Sequence, residues 1–526
     1  MTIQLKRLGA LFFWALACGC GDAGTPTRRT LVDSRDNYDP RSLDPALSTD
    51  VPTGRAVAYV FDGLTRFTPD AGVQPGLAER WELSGAGRTI YRFHLRRGVT
   101  FHDGTRFVAA HVVASWERAL APSTKGGRAE PLLPILGARD FAAGKATSIR
   151  GLRAPDDSTL IVTLEEPLGI FPKLLAMPVA SVVPLNLLPD RPVGTGPWRF
   201  VEWKHDDYLL FARNESYWAG APTADSLRAR IIAEPSTAVA EFESGNVDVL
   251  LVPPGDTRRW EGTANQAVMM SVPALQLVYI AINTTRGPLA DVRVRRAINF
   301  AIDRKQIVDR LISGRGRLAA GVIPPSLGGA DTARAAYAFD IAAAKQLLAD
   351  AGHVGGIDLE LWVGSNPTYG RIAESVQGYL VAAGIRTKIV QRESAAAREA
   401  SRNGQTDMIL KDWYADYPDA ENFLYPLLFS GNKGLGGNVS FFANPEFDRL
   451  MMRARVEPEE RTRNAIYRQA DSIAFGQAPM VFLYFYNELY AVQPWLRGFS
   501  PPVIFNGQRW LTAEIGEKGE ERGVKP

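Results

Sequence analysis

The chain has 526 residues, 46% of them hydrophobic and 22% charged, which excludes a disordered, collagen-like or low-complexity protein. At ~150 residues per domain, that length predicts about three domains. Basic residues number 60 against 57 acidic ones, a net charge of +3 that is too even for a protein working on phosphate backbones, so no nucleic-acid partner is expected.

Residues 1–20 read MTIQLKRLGALFFWALACGC. Lys6 and Arg7 precede an apolar run from Leu8 to Ala17, which falls short of the ~20 residues a bilayer-spanning helix needs and matches the core of an export signal. Small residues lead into Cys18 and again into Cys20, an arrangement that resembles the bacterial lipobox. The leucine preferred three residues upstream is replaced by Ala15 and Ala17 respectively. Cys20 is the better candidate for lipidation, because Gly21 and Asp22 open a polar tether running to about Arg29; Cys18 is the alternative. An ordinary cleaved signal with incidental cysteines is the competing reading. These two are the chain's whole complement of cysteine, so the body holds no disulfide, thiolate metal site or cysteine nucleophile.

Strand character, rich in β-branched and aromatic residues between turn signals, appears at Thr89–Leu95, Leu160–Leu164, Tyr208–Arg213, Leu277–Ile282 and Val481–Tyr486. Helical spacing appears at Ala109–Leu120, Val294–Ser313, Ala342–Ala351, Ala373–Ala383 and Glu459–Phe475. Asp340 and Gly352 bracket the third of these as N-cap and C′ glycine. Strands and hairpins dominate before about residue 280, and helices interleave with strands after about 285, which predicts an α/β lobe there. The basic run 292–310 has an apolar face at helical spacing and reads as a lobe helix with a solvated side.

Residues 412–419, DWYADYPD, place three carboxylates and three aromatic rings in one short segment ended by Pro418 and Asp419. A carboxylate in an aromatic-walled cleft suits a cationic amine, through charge-assisted hydrogen bonds and cation–π contact. A rim loop with packed rings and solvated acids is the alternative. The five histidines are scattered, with no HExxH or paired His-x₃-His, and neither GxSxG nor GxxxxGK[ST] occurs. Neither a cofactor nor a bound metal is therefore expected.

Ten motifs then fall in one order along the chain. They are SLDPAL (42–47), FDGLTRF (61–67), GLAERWELS (76–84), YRFHLRRGVTFHDGTRFVAAHVVASWERA (91–119) and VGTGPWRFVEW (193–203). They continue with ARNESYW (212–218), ESGNVDVL (243–250), INTTRGPLADVRVRRAINFAIDR (282–304), FDIAAAKQLLADAGH (339–353) and DMILKDWYADYPDAENFL (407–424). In these the chain resembles the extracytoplasmic solute-binding proteins of family 5, the peptide and nickel binders of ABC importers.

The resemblance implies an α/β fold of the type II periplasmic-binding-protein kind, two hinged lobes plus an extra domain. Carried over, residues 1–19 are a lipoprotein signal and 20–29 a tether. Lobe I comprises 30–58, 190–283 and 490–526; the extra domain is 59–189; lobe III is 284–489. It further implies that Asp416 receives a peptide's α-ammonium, that Trp413, Tyr414 and Tyr417 supply walls and main-chain pairing, and that Val51, Pro52 and Thr53, with Gly54, lie along the ligand's other edge. The basic residue that some relatives place near the ligand carboxylate is Leu410 here. Trp198 and Trp203 read as core.

The function implied is a monomeric, lipid-anchored receptor in the periplasm or on the cell surface. It captures di- or oligopeptides and hands them to an ABC permease in the cytoplasmic membrane, without catalysis. A nickel complex, haem, an oligosaccharide or an opine in the same fold is the alternative cargo. An extracytoplasmic hydrolase using Asp412, Asp416 and Asp419 is the rival class.

Overall fold

The computed structural model describes residues 30–516, apart from 86, 127, 188–190, 261–266 and 435–436. The signal segment, the tether and both candidate lipidation sites, Cys18 and Cys20, lie outside the described residues. No helix among those described is long and apolar enough to cross a membrane.

A mixed sheet of 11 strands forms the frame. Its two central strands are Val268–Ile282 and Met480–Val492, which run antiparallel along nearly their whole length. Both read as apolar because both faces are covered: nine of the 15 residues in the first strand are buried. The pairing is broken twice, between Pro273 and Leu277 and between Val278 and Tyr279. Such bulges bend a strand and redirect its neighbours. On one side of the break Val268–Pro273 pairs with Asn487–Val492, and the same strand, Met480–Val492, also pairs with Val249–Leu251. Beyond those lie Thr30–Asp36, Ser226–Ile231, Tyr208–Arg213 and Trp198–Lys204. On the other side Leu277–Ile282 pairs with Met408–Tyr414, followed by Ile357–Val363 and Ile385–Gln391. The two halves of the sheet therefore meet through one strand pair at an irregularity.

A separate four-stranded sheet orders Ala78–Ser84, Ile90–Leu95, Thr159–Thr163 and Leu152–Asp156, with the helix Ala109–Leu120 upon it. Phe93, Val112, Trp116, Leu160 and Val162 form its own core. This module touches both halves of the large sheet. His102 Nε2 lies 2.9 Å from the Gly196 carbonyl, and Arg118 pairs with Asp44. Toward the other half, Gly169 N–H donates to the Arg455 carbonyl at 3.1 Å. Gly194 and Gly196 of the GTGP turn are required by close approach, since a Cβ at either would lie within 2.6 Å of a carbonyl at the end of helix Val51–Val60.

Most elements fall where periodicity puts them, including Ala109–Leu120 and Tyr208–Arg213. Asp340 caps its helix by accepting from Ala343 N–H, and Gly352 takes φ +86°. The single helix expected over 294–313 is instead two, Val292–Ala301 and Arg304–Leu311. Asp303 caps the second through Gln306 N–H, while Arg304 turns inward to the carbonyls of Phe482 and Asn299. The expected solvated basic side holds for Arg293, Lys305 and Arg310, which are exposed, but not for the arginines between them. Arg295 and Arg296 donate to the Gln477 and Gly476 carbonyls at the end of helix Glu460–Gln477, where a cation is favoured by the helix dipole.

Candidate functional site

The strand Met408–Tyr414 carries the site. Met408 and Leu410 are buried against Val278 and Ile280 on one face, and Ile409 and Trp413 pack on the other. Asn283 N–H donates to the Asp407 carbonyl, and Ala415 N–H to the Leu275 carbonyl. In an antiparallel ladder the alternate residues between them, Ile409, Lys411 and Trp413, therefore turn their backbone groups toward the long strand. The N–H and C=O groups of Leu410, Asp412 and Tyr414 face the opposite edge. There the strand Ile357–Val363 registers with Met408 and Ile409, and the edge from Leu410 to Tyr414 runs on beyond it.

At the end of this strand a cleft of about 260 Å³ opens, just under the ~300–1,000 Å³ usual for small-molecule sites. Trp413, Tyr414, Ala415 and Asp416 form one wall; Ser48, Thr49, Asp50 and Val51 form another; Arg128, Met177, Pro178 and Val179 come from the four-stranded module and its flank, and Phe505 closes the rest. Tyr414 reaches across the break in the sheet, its hydroxyl 3.5 Å from Glu488, which also accepts from Tyr490. Burial, with the Glu488 carboxylate beside it, pushes the Tyr414 hydroxyl well above its ordinary value. The Trp413 indole N–H is buried and lacks a hydrogen-bond partner among the described residues.

Asp416 sits on the cleft wall with its carboxylate mostly covered. Arg128 Nη2 donates to Asp416 Oδ2 at 2.6 Å, and the Asp416 backbone N–H donates to Asn422 Oδ1. Burial raises the Asp416 carboxyl above its ordinary value, and Arg128 opposes that shift. Arg128 follows the helix Ala109–Leu120 in a glycine-bearing loop and stands 288 residues away in sequence. A lone arginine there carries no motif, so nothing in the sequence singled it out.

Of the residues expected at the site, Asp416, Trp413, Tyr414 and Val51 meet at the cleft. Tyr417, Pro52 and Thr53 do not, and each has a reason. Tyr417 bonds Glu421 and packs between two cores, because Pro418 turns the chain inward. Val51–Val60 is a helix rather than an extended edge: Asp50 caps it by accepting from Thr53 N–H at 2.9 Å, and Pro52 occupies the first turn, where its missing N–H costs nothing. Thr53 is fully buried and accepts from Arg41 N–H. Gly54 does admit a close approach, but by the Phe505 ring, which a Cβ would meet at 2.4 Å.

The three carboxylates do not converge. Asp412 accepts from Gln276 Nε2 at 2.7 Å, and Asp419 is buried with Lys173 at 2.7 Å and Arg463 at 3.8 Å. Leu410, at the position of the absent basic residue, is buried on the far face from Trp413, and Lys411 is half-buried with its ammonium lowered to about 8 by burial and by Arg402. Trp198 is wholly buried with its N–H on the Arg509 carbonyl, and Trp203 packs partly exposed with its N–H on Asp39.

The family model for bacterial extracellular solute-binding proteins, family 5, matches residues 72–434. The heme-binding protein A of Haemophilus influenzae is 31% identical over 473 residues, 84% of each chain. The dipeptide-binding protein of Escherichia coli is 27% identical over 506 residues, 92% of this chain and 94% of that one. Among solved structures, the periplasmic binding protein DppA of Helicobacter pylori, in complex with the peptide STSA, superposes with a TM-score of 0.76 at 26% identity, over 93% of this chain and 98% of that one.

Proposed function

The chain belongs to the bacterial extracellular solute-binding proteins of family 5, which are periplasmic receptors for ABC importers, and from that premise we propose that its cargo is a peptide, held in the cleft at the end of strand Met408–Tyr414. The observation that carries this reading is the uncovered edge, where the N–H and C=O groups of Asp412 and Tyr414 face outward beside the cleft. A peptide adding itself there as a strand is held through its main chain, whatever its side chains. Asp416 takes the ligand ammonium on Oδ1, which has no hydrogen-bond partner among the described residues, while Oδ2 stays with Arg128. Trp413 and Tyr414 wall the cavity, and Val51 and its neighbours close it from the other half of the sheet.

Capture is closure without covalent chemistry. Residues 30–58, 190–283 and 490–526 form one lobe, 284–489 the other, and 59–189 the extra domain; the paired strands Val268–Ile282 and Met480–Val492 carry the hinge. A ligand that touches both walls favours the closed state by its differential affinity for it. Lipidation at Cys20, or Cys18, tethers the monomeric receptor to the membrane beside its permease. The test is calorimetry with di- and tripeptides: Asp416→Ala weakens binding more than tenfold, and unchanged affinity removes the residue from the site. A relative named for haem supports a second reading, a non-peptide solute in the same cleft. Native mass spectrometry of the purified protein separates the two by the mass of what it carries.

A further inference from the structure

Among the residues lining the cleft, Arg128 is the single basic side chain, and it stands 2.6 Å from the acid assigned to the ligand amine. Its guanidinium is partly open to the cavity, with 41% of the side chain exposed, and among the described residues Nε and Nη1 have no partner. Leu410 is buried away from the cleft and Lys411 does not line it, so the strand wall offers no cation to a ligand carboxylate. That recognition falls to the four-stranded module instead. The pair also sets a distance. An arginine and an aspartate in direct contact form one wall of alternating charge, and the ligand groups that answer them must lie side by side. A linear peptide separates its terminal charges by at least one peptide unit, with consecutive Cα atoms ~3.8 Å apart.

We infer that Arg128 and Asp416 together form a subsite for an amino-acid head group, one carbon bearing both ammonium and carboxylate, and that Arg128 is the residue selecting for that carboxylate. The ammonium meets Asp416 Oδ1, and the carboxylate meets the second N–H of Arg128 Nη2 together with the neighbouring Nη1 or Nε, leaving the existing Nη2–Oδ2 hydrogen bond in place. The four charges alternate, each with two opposite neighbours, and the planar guanidinium offers its remaining N–H groups in the fork that carboxylates fit. A ligand with an amine alone leaves those donors unanswered in a partly desolvated wall. The favoured cargo is therefore a side-chain-linked peptide, such as a γ-glutamyl one, whose head keeps both groups on one carbon while its remainder extends along the open strand edge. This rests on the peptide reading above.

The test is calorimetry on the full chain with three probes: γ-glutamyl-alanine, its α-linked isomer, and the γ-linked compound with the head carboxylate amidated. Wild type is expected to bind the first at least tenfold more tightly than either of the others. Arg128→Gln removes the difference between free and amidated head and leaves the amidated probe within threefold of its wild-type affinity; Arg128→Lys restores part of the difference. Equal losses for both γ-linked probes, or an α-linked isomer bound as tightly as the γ-linked one, overturns the proposal and leaves peptide capture standing. If no probe and no peptide binds wild type, both readings fall. Should Arg128→Gln not fold, the wild-type comparison of free and amidated heads decides.

Discussion

Asp416 and Asp419 stand three residues apart in one acidic, aromatic segment, yet they lie in different physical worlds. Asp416 ends the strand wall, faces the cleft and shares one oxygen with a half-exposed arginine. Asp419, beyond Pro418, is 3% exposed, lies between Lys173 and Arg463, and accepts through its other oxygen from Glu421 N–H. The neighbouring Tyr417, Glu421 and Arg455 continue the buried side, where burial raises the Glu421 carboxyl and Arg455 opposes that shift. Composition treats the two acids alike. What separates them is whether the groups around each are already satisfied: Asp419 has no capacity to spare for a ligand, and Asp416 has one oxygen left.

The comparison breaks most directly at its buried end. Asp419→Ala leaves Arg463 in the interior without a carboxylate and leaves Lys173 with only the exposed Glu460 as an ion-pair partner, a class of loss that costs ~3–5 kcal/mol. Chemical denaturation is expected to show a drop of that size, with peptide affinity of the folded fraction within twofold of wild type; a drop under ~1 kcal/mol shows the pairing to be solvated after all. At the other end the pattern reverses. Asp416→Ala changes stability by ~1 kcal/mol or less, because its partner is half-exposed, but costs more than tenfold in affinity. The carboxyl's raised value adds a pH signature. Ammonium binding needs the ionised acid, so affinity is full above that value and falls as the pH drops through it, while Asp416→Asn is weak and flat across the same range. Tyr417→Phe is the intermediate case. It leaves Glu421 without one of its donors and is expected to cost ~1–2 kcal/mol of stability, with no change in affinity.

The uneven legibility of the site follows from the same contrast. The clustered acids and rings, matched to the family's motif, point to Asp416, Trp413 and Tyr414, which the structure brings to one cleft, because their chemistry is local to eight residues. Tyr417 departs from that cluster because the turn at Pro418 sends it inward, and side-chain type says nothing about which side of a turn faces the cavity. Pro52 and Thr53 suit a ligand-facing edge by residue type, but Asp50 three residues before Thr53 is an N-cap signal that the helix Val51–Val60 fulfils. Arg128 was invisible, as its partner lies 288 residues away and contact between modules has no sequence period. The fold was legible for a different reason: its strands and helices bury continuous faces, and burial writes itself into residue choice.

The smallest effect separates two positions along one face of the strand, Lys411 and Trp413. Lys411 lies one residue from Asp412 and two from Trp413, on the same face of the strand as Trp413 but short of the cleft, which it does not line. Burial, helped by repulsion from Arg402, lowers its ammonium from 10.5 to about 8, against a smaller opposing attraction from Asp412. Between those values the unfolded chain holds a proton that the folded chain has lost. Stability must then rise as the pH climbs from about 8 toward 10.5, the reverse of what an ion-paired lysine gives. Denaturation at pH 7.5 and 9.5 is expected to show the rise in wild type and to lose it in Lys411→Met, which is also more stable than wild type at the lower pH. Because Lys411 contacts no part of the cleft, that substitution leaves peptide affinity alone. A change in affinity with it would mean that the buried stretch of this strand and its open edge respond together, and the division between satisfied and available groups would have to be redrawn along the strand rather than across Pro418.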